Sequence, residues 1–127
     1  MNIPPDLLYT KDHEWVRVNG DVATVGVTDF AQGELGDVVF VQLPDIGKRV
    51  SQGEAFGTIE AVKAVADIYS PLTGSVVEVN TALSDHPETM NQDPYGAGWI
   101  VKIKTSNFQA DKGHLLDSAA YADLTTA

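Results

Sequence analysis

The chain has 127 residues, enough for one domain with a single core, and 43% of them are apolar. Eight Lys and Arg face 18 Asp and Glu, a net charge of −10, which argues against nucleic-acid binding and against anchoring on an anionic membrane. Cysteine is absent, so disulfides, a CxxC redox pair, a cysteine nucleophile and thiolate zinc sites are excluded.

Met1-Asn-Ile-Pro-Pro-Asp6 has neither a basic nor an apolar leader region. No apolar run approaches the roughly 20 residues of a membrane span. The expectation is a cytosolic protein; a processed organellar chain with a new Met remains the alternative.

In chain order the residues read mostly as strand. Glu14-Trp-Val-Arg-Val18 alternates, Asn19-Gly20 is a hairpin turn signal, and Asp21 to Val27 returns as a second strand. Thr28 is placed to cap a short helix over Asp29-Phe-Ala-Gln32, ending near Gly33. Asp37 to Leu43 is the next strand, stopped by Pro44, and Asp45-Ile-Gly-Lys48 is a turn. Arg49 to Thr58, with Gly53 and Gly57, is expected to turn tightly.

Ser75 to Val79 predicts a strand. Asp85-His-Pro-Glu88 has capping-box spacing with proline in the first turn, and predicts a short helix opening there. Gly98 to Lys104 alternates as a strand. Leu116, Ala120 and Leu124 at i, i+4, i+8 predict an amphipathic helix within Asp111 to Leu124. Short strands with regular Gly and Pro punctuation point to a sandwich or flattened barrel.

Glu60-Ala-Val-Lys-Ala-Val-Ala66 is ambiguous. Alanine and the i, i+3 pair of Glu60 with Lys63 allow helix. The piece is short, however, and Ile59, Val62, Val65, Ile68 and Tyr69 favour strand, so a hairpin with Lys63 at its tip is the preferred reading. A weak echo, Gly47-Lys-Arg-Val50 before the lysine and Pro71-Leu-Thr-Gly-Ser-Val76 after it, agrees with two similar units flanking it.

Motifs for common chemistries are missing. His13, His86 and His114 are scattered without an HExxH, so a metal site is not expected. There is no Gly-x-Ser-x-Gly elbow, and Gly96-Ala-Gly98 lacks the third glycine of a dinucleotide loop. Trp15 and Trp99 read as core or half-core aromatics.

Lys63 stands out because, His86 aside, it is the only basic residue between Val50 and Val101. It has apolar or small residues on both sides and carboxylates at Glu60 and Asp67. Most lysines are solvated surface groups. A Schiff-base lysine wants a lowered pKa, and nearby acids act the other way. A modification acceptor needs only an exposed amine on a recognisable turn.

The residues also carry a resemblance. Tyr9-Thr-Lys-Asp-His-Glu-Trp-Val16, Val25 to Gln32, Leu35 to Pro44, Glu60 to Pro71, Val76 to Asn80 and Asn91-Gln-Asp-Pro-Tyr-Gly-Ala-Gly-Trp-Ile100 closely resemble the glycine cleavage H-protein family. The resemblance spans nearly the whole chain. One departure is Ala61, where the family usually has Ser, a small-for-small change that at most blurs a ligase contact.

The resemblance implies a single lipoyl-carrier domain over residues 1–127. Its fold would be mainly β, a biotinyl/lipoyl-type barrel sandwich (a flattened β-barrel) with short helices and a C-terminal helix. It implies lipoate in amide linkage on Lys63, attached by a lipoyl ligase or transferase. The tethered arm would visit three enzymes at high effective concentration. A pyridoxal-phosphate glycine decarboxylase loads an aminomethyl group. An aminomethyltransferase passes the one-carbon unit on, and dihydrolipoamide dehydrogenase reoxidises the dithiol. The carrier itself would not be an enzyme. It would work in the cytoplasm of a bacterium, or in the mitochondrial matrix of an organellar source.

An aminomethyl thioether hydrolyses in water, so parking the arm against the protein would protect it. The resemblance places pocket acids at Glu14 and Asp67. Val62-Lys63-Ala64 differs from the Met-Lys-Met of biotin carriers and the Asp-Lys-Ala of 2-oxoacid dehydrogenase lipoyl domains. Two other readings remain: a relay that hands lipoate to other acceptors, and an enzyme with Lys63 as nucleophile.

Overall fold

The computed structural model describes residues 2–126. Strands β1 (Leu8–Tyr9), β2 (Glu14–Asn19) and β3 (Val22–Val27) come first, followed by helix α1 (Asp29–Leu35) and β4 (Val38–Gln42). Next are β5 (Arg49–Val50), β6 (Ala55–Ala61), β7 (Val65–Tyr69) and β8 (Gly74–Val79). Two one-turn helices, α2 (Ala82–Asp85) and α3 (Thr89–Gln92), precede β9 (Val101–Thr105), α4 (Phe108–Lys112) and α5 (Ser118–Thr126).

The strands form a six-stranded sheet in the order β1-β2-β3-β9-β8-β5 and a three-stranded sheet in the order β4-β6-β7. All pairings are antiparallel. The core lies between the sheets: Val25, Val76 and Ile103 of the larger meet Val41, Ile59 and Ile68 of the smaller. Among the described residues no strand pairs across from one sheet to the other, so this barrel sandwich stays open rather than closing as a barrel. The two echoing units lie side by side, since β5 pairs with β8 through Arg49↔Ser75 and Val50↔Gly74.

A second cluster packs around Trp15, with Leu7, Tyr9, Tyr95 and Tyr121. Trp15 pairs with Gly26, and a Cβ at Gly26 would lie 2.7 Å from the indole ring. The indole N–H donates to the Pro94 carbonyl at 2.9 Å. Trp15 is fully buried and Trp99 partly so, as their sequence setting suggested.

Several boundaries differ from expectation. The β2–β3 loop is Gly20-Asp21, because Asn19 pairs with Val22. Helix α1 runs through Gly33 to Leu35, whose side chain is buried, and the Gly36 N–H closes it on the Gln32 carbonyl. Ala55 to Thr58 is strand, not tight turn, because Phe56 and Ile59 plug into the core; the turn is confined to Gln52-Gly53. Gly98 to Ile100 lies outside β9: Gly98 and Trp99 are held by bonds to the Asp93 and Gly96 carbonyls, and the Ile100 N–H donates to the Val25 carbonyl of β3.

Asp85 does not open a helix but ends α2, which is anchored by buried Leu83. His86 precedes Pro87 and is held at φ −132°, ψ 64°, since proline disfavours the helical region for the residue before it. The C-terminal segment is not one amphipathic helix. Gly113 ends α4, and Leu116 is drawn into a two-bond bridge with Tyr9 before α5 starts. Tyr121, not Leu124, is the buried residue of α5.

Candidate functional site

Lys63 lies at the tip of the β6–β7 hairpin, in a loop of Val62, Lys63 and Ala64, as expected from the β-formers on either side. The Ala61 N–H closes the loop on the Ala64 carbonyl at 2.9 Å. The loop is docked on the crossing between α1 and β4: Lys63 N–H donates to the Leu35 carbonyl at 3.1 Å and Val62 N–H to the Asp37 carbonyl at 3.0 Å. Val62 and Val65 are 71% and 67% exposed, and Val39 and Phe40 of β4 are 58% and 50% exposed. A bulge between Val38 and Phe40 breaks the alternation that would turn one of that pair inward. Phe40, Glu60 and Val65 are successive cross-strand partners, so an apolar patch rims the lysine end of the smaller sheet.

Next to this turn opens a cavity of about 280 Å³. Val27, Phe30, Ala31, Leu35, Ile59 and Ala66 supply its apolar wall. Asp12, His13, Glu14, Glu34 and Asp67 supply its polar groups. Glu14 and Asp67, the two acids singled out in the sequence, therefore line one cavity, from β2 and β7 respectively. Leu35 links cavity and lysine, since its side chain lines the first and its carbonyl holds the turn of the second. A larger cavity of about 410 Å³, around Gln52, Pro71 and His114, contains no carboxylate and none of the lysine turn. Position and chemistry favour the smaller one.

Glu14 is only 2% exposed. Thr10 Oγ1 donates to its Oε1 at 2.6 Å, and the Tyr69 N–H reaches Oε2 at 3.4 Å. Among the described residues no cation pairs with it. Burial dominates these bonds and pushes its pKa up to about 8, so Glu14 is largely protonated at neutral pH.

Sequence reasoning missed the other wall residues. Phe30 and Glu34 are i, i+4 on α1, a spacing that puts them on one face. His13 adopts φ 71°, unusual for a residue with a side chain. Its Nδ1 shares a 2.8 Å hydrogen bond with the Tyr121 hydroxyl, which also bonds Thr28 Oγ1 at 2.7 Å, and its ring packs 4.6 Å from that of Phe30. Burial lowers the His13 pKa and favours the neutral ring. Helix α5 thus braces the cavity wall through one tyrosine. Among the described residues no cluster of three or more acids and histidines is set to hold a metal, and no helix is long and apolar enough to cross a membrane.

Comparison with known proteins gives the family. The family model described as glycine cleavage H-protein matches residues 7–127. The chain belongs to the glycine cleavage H-protein family. Its place is that of the lipoyl carrier of the glycine cleavage system. A glycine cleavage system H protein of Symbiobacterium thermophilum is 56% identical over 124 residues, covering 98% of this chain and 96% of that one. One from Myxococcus xanthus is 58% identical over 123 residues, covering 97% and 95%. The crystal structure of a glycine cleavage system H protein from Mycobacterium marinum superposes with a TM-score of 0.90 at 43% identity, over 98% of this chain and all of that one. The family is one of carrier proteins.

Proposed function

We propose that Lys63 bears the lipoyl group and that the cavity between Glu14 and Asp67 shelters the arm once it is loaded. The observation that carries this reading is the exposed lysine at a rigid hairpin tip, docked on the same Leu35 that walls the cavity. Acylation joins the lipoate carboxyl to Nζ and removes the ammonium charge. The residues suit such a group, with an apolar wall for a hydrocarbon arm and two acids for a cationic end. When bound, lipoate supplies a reducible disulfide and a sulfur able to hold a one-carbon amine.

The apolar wall excludes water, which slows hydrolysis and strengthens charge pairing inside. Glu14 has a donor in Thr10 already aimed at one oxygen, so the carboxylate formed beside an incoming ammonium keeps a partner. Asp67 stands at the exposed side of the cavity and offers a second negative group.

Docking is served by the apolar patch of Val39, Phe40, Val62 and Val65 on a chain of net charge −10. It suits partners with an apolar centre and a basic rim. Those partners are the glycine decarboxylase, the aminomethyltransferase, dihydrolipoamide dehydrogenase and the acylating ligase. Residues 1–127 act as one carrier domain in the cytoplasm, and turnover belongs to the partners. The test is the intact mass of protein purified from cells with an active lipoyl ligase. An added lipoyl mass that disappears in Lys63→Arg supports the reading, and an unmodified parent refutes it.

A further inference from the structure

The lysine turn is tied to a segment that is itself gripped from a distant part of the chain. Both amides at the turn, Val62 and Lys63, are spent on carbonyls of Leu35 and Asp37. That crossing contains no regular structure, so something else must hold its shape. Asn91 of α3 does so with a single carboxamide. Its Oδ1 accepts from the Val38 N–H at 2.9 Å, and its Nδ2 donates to the Gly36 carbonyl at 2.8 Å. Nδ2 also reaches Gln32 Oε1 at 3.1 Å, which adds the last turn of α1 to the grip. The two backbone partners, one a donor and one an acceptor, require an amide in this orientation.

Gly36 adds a second, independent constraint. It has φ +77°, and a Cβ there would lie 3.2 Å from Lys63 Cγ and 3.3 Å from Cδ. The lysine stem therefore rests on a bare Cα. The residue that seats the stem is the one whose carbonyl Asn91 holds.

We propose that Asn91 is a positioning residue for acylation: it clamps Gly36 to Val38 so that the docked turn presents the Lys63 amine at one angle to the acylating enzyme. This rests on Lys63 being the attachment site. Carboxamide chemistry makes the claim specific. Aspartate keeps an acceptor for Val38 but loses the donor for Gly36, and alanine loses both. Neither leaves the crossing fixed, and the amides of Val62 and Lys63 then open more often.

The experiment compares parent, Asn91→Ala, Asn91→Asp, Gly36→Ala and Met90→Ala as acceptors for a lipoyl ligase supplied with lipoate and ATP. Backbone hydrogen exchange is read on each in parallel. For both Asn91 variants, exchange at Val62 and Lys63 should rise about ten-fold relative to the β9 amides, and kcat/KM should fall by a similar factor. Gly36→Ala should slow acylation with the Asn91 clamp chemistry intact, a separate test of the lysine seat; should Asn91→Ala fail to fold, Asn91→Asp, which keeps the acceptor for Val38, carries the test of the clamp. Met90 is buried beside Asn91 but takes no part in the clamp. If Met90→Ala slows acylation as much at equal loss of stability, Asn91 only holds α3 in place and the proposal falls. It falls also if a folded Asn91→Ala matches the parent in both readouts. A parent that is never acylated at Lys63 instead overturns the attachment site itself.

Discussion

Glu14 and Asp67 face one cavity from two different sheets, the first nearly inaccessible on β2 and the second exposed on β7. One acid is dry and the other wet, so under the proposed function they would serve a bound cation differently. Glu14 would supply a short-range partner in a low dielectric, and Asp67 attraction at the mouth.

The first prediction concerns shelter. In protein loaded with the aminomethyl group, Glu14→Gln combined with Asp67→Asn should release formaldehyde about ten-fold faster, the loss of one charge-assisted contact. Both changes nearly preserve shape. Release at the parent rate would show that the cavity does not hold the amine.

Glu14 also makes a pH prediction. Its folded pKa of about 8 lies above the ordinary value of 4.5, so the folded chain holds this proton more tightly than the unfolded one. Its contribution is therefore fully present below about pH 4.5 and is lost as pH rises through 8. Glu14→Gln, which cannot ionise, should be more stable than the parent at pH 9, by on the order of a few kcal/mol, and near parity at pH 4. Urea unfolding at the two pH values measures this, and equal differences at both would contradict it.

Gly26→Ala tests the second core. The new methyl meets the Trp15 ring at 2.7 Å, and the ring is pinned by its bond to Pro94. Overpacking of this kind costs about 1–3 kcal/mol. Thermal unfolding should show a lowered midpoint, with the tryptophan emission shifted as the indole is displaced.

Phe40→Ala, alone or with Val65→Ala, separates docking from folding. Both side chains are at least half exposed, so stability should change by no more than about 0.5 kcal/mol. The apparent KM of the glycine decarboxylase for the lipoylated carrier should rise about five-fold or more if they anchor the interface. An unchanged KM would move the docking surface elsewhere.

Tyr121→Phe removes one hydroxyl that joins α5 to both His13 and Thr28. Thr28 loses a buried hydrogen bond and His13 a partly buried one, at a cost of about 1–3 kcal/mol. Histidine resonances should report a change at His13 while His86 stays constant.

Local chemistry made several of these features legible. β-formers on both sides of Lys63 outweighed alanine's helix propensity and drew the hairpin correctly. Thr28 caps α1 as its type and position suggested. Other features depended on distant partners. Leu116 fits a helical stripe, yet Tyr9 offers it two backbone bonds, and a local pattern cannot weigh those against continuing a helix. Asp85 has capping-box spacing, but buried Leu83 starts a helix one turn earlier and Pro87 ends it.

The lysine, its isolation and the family motifs around it were set by residue order alone, because attachment chemistry needs only one amine on a recognisable loop. Burial was not. The resemblance points to Glu14 as a pocket acid, but nothing in Asp12-His13-Glu14 marks it as dry; it is 2% exposed only because the two sheets close over it. The raised pKa of Glu14, the cavity it shares with Asp67 and the Asn91 clamp behind Lys63 arise from groups far apart in the chain. Desolvation and hydrogen bonding act through space, so these properties exist only once packing has brought the groups together.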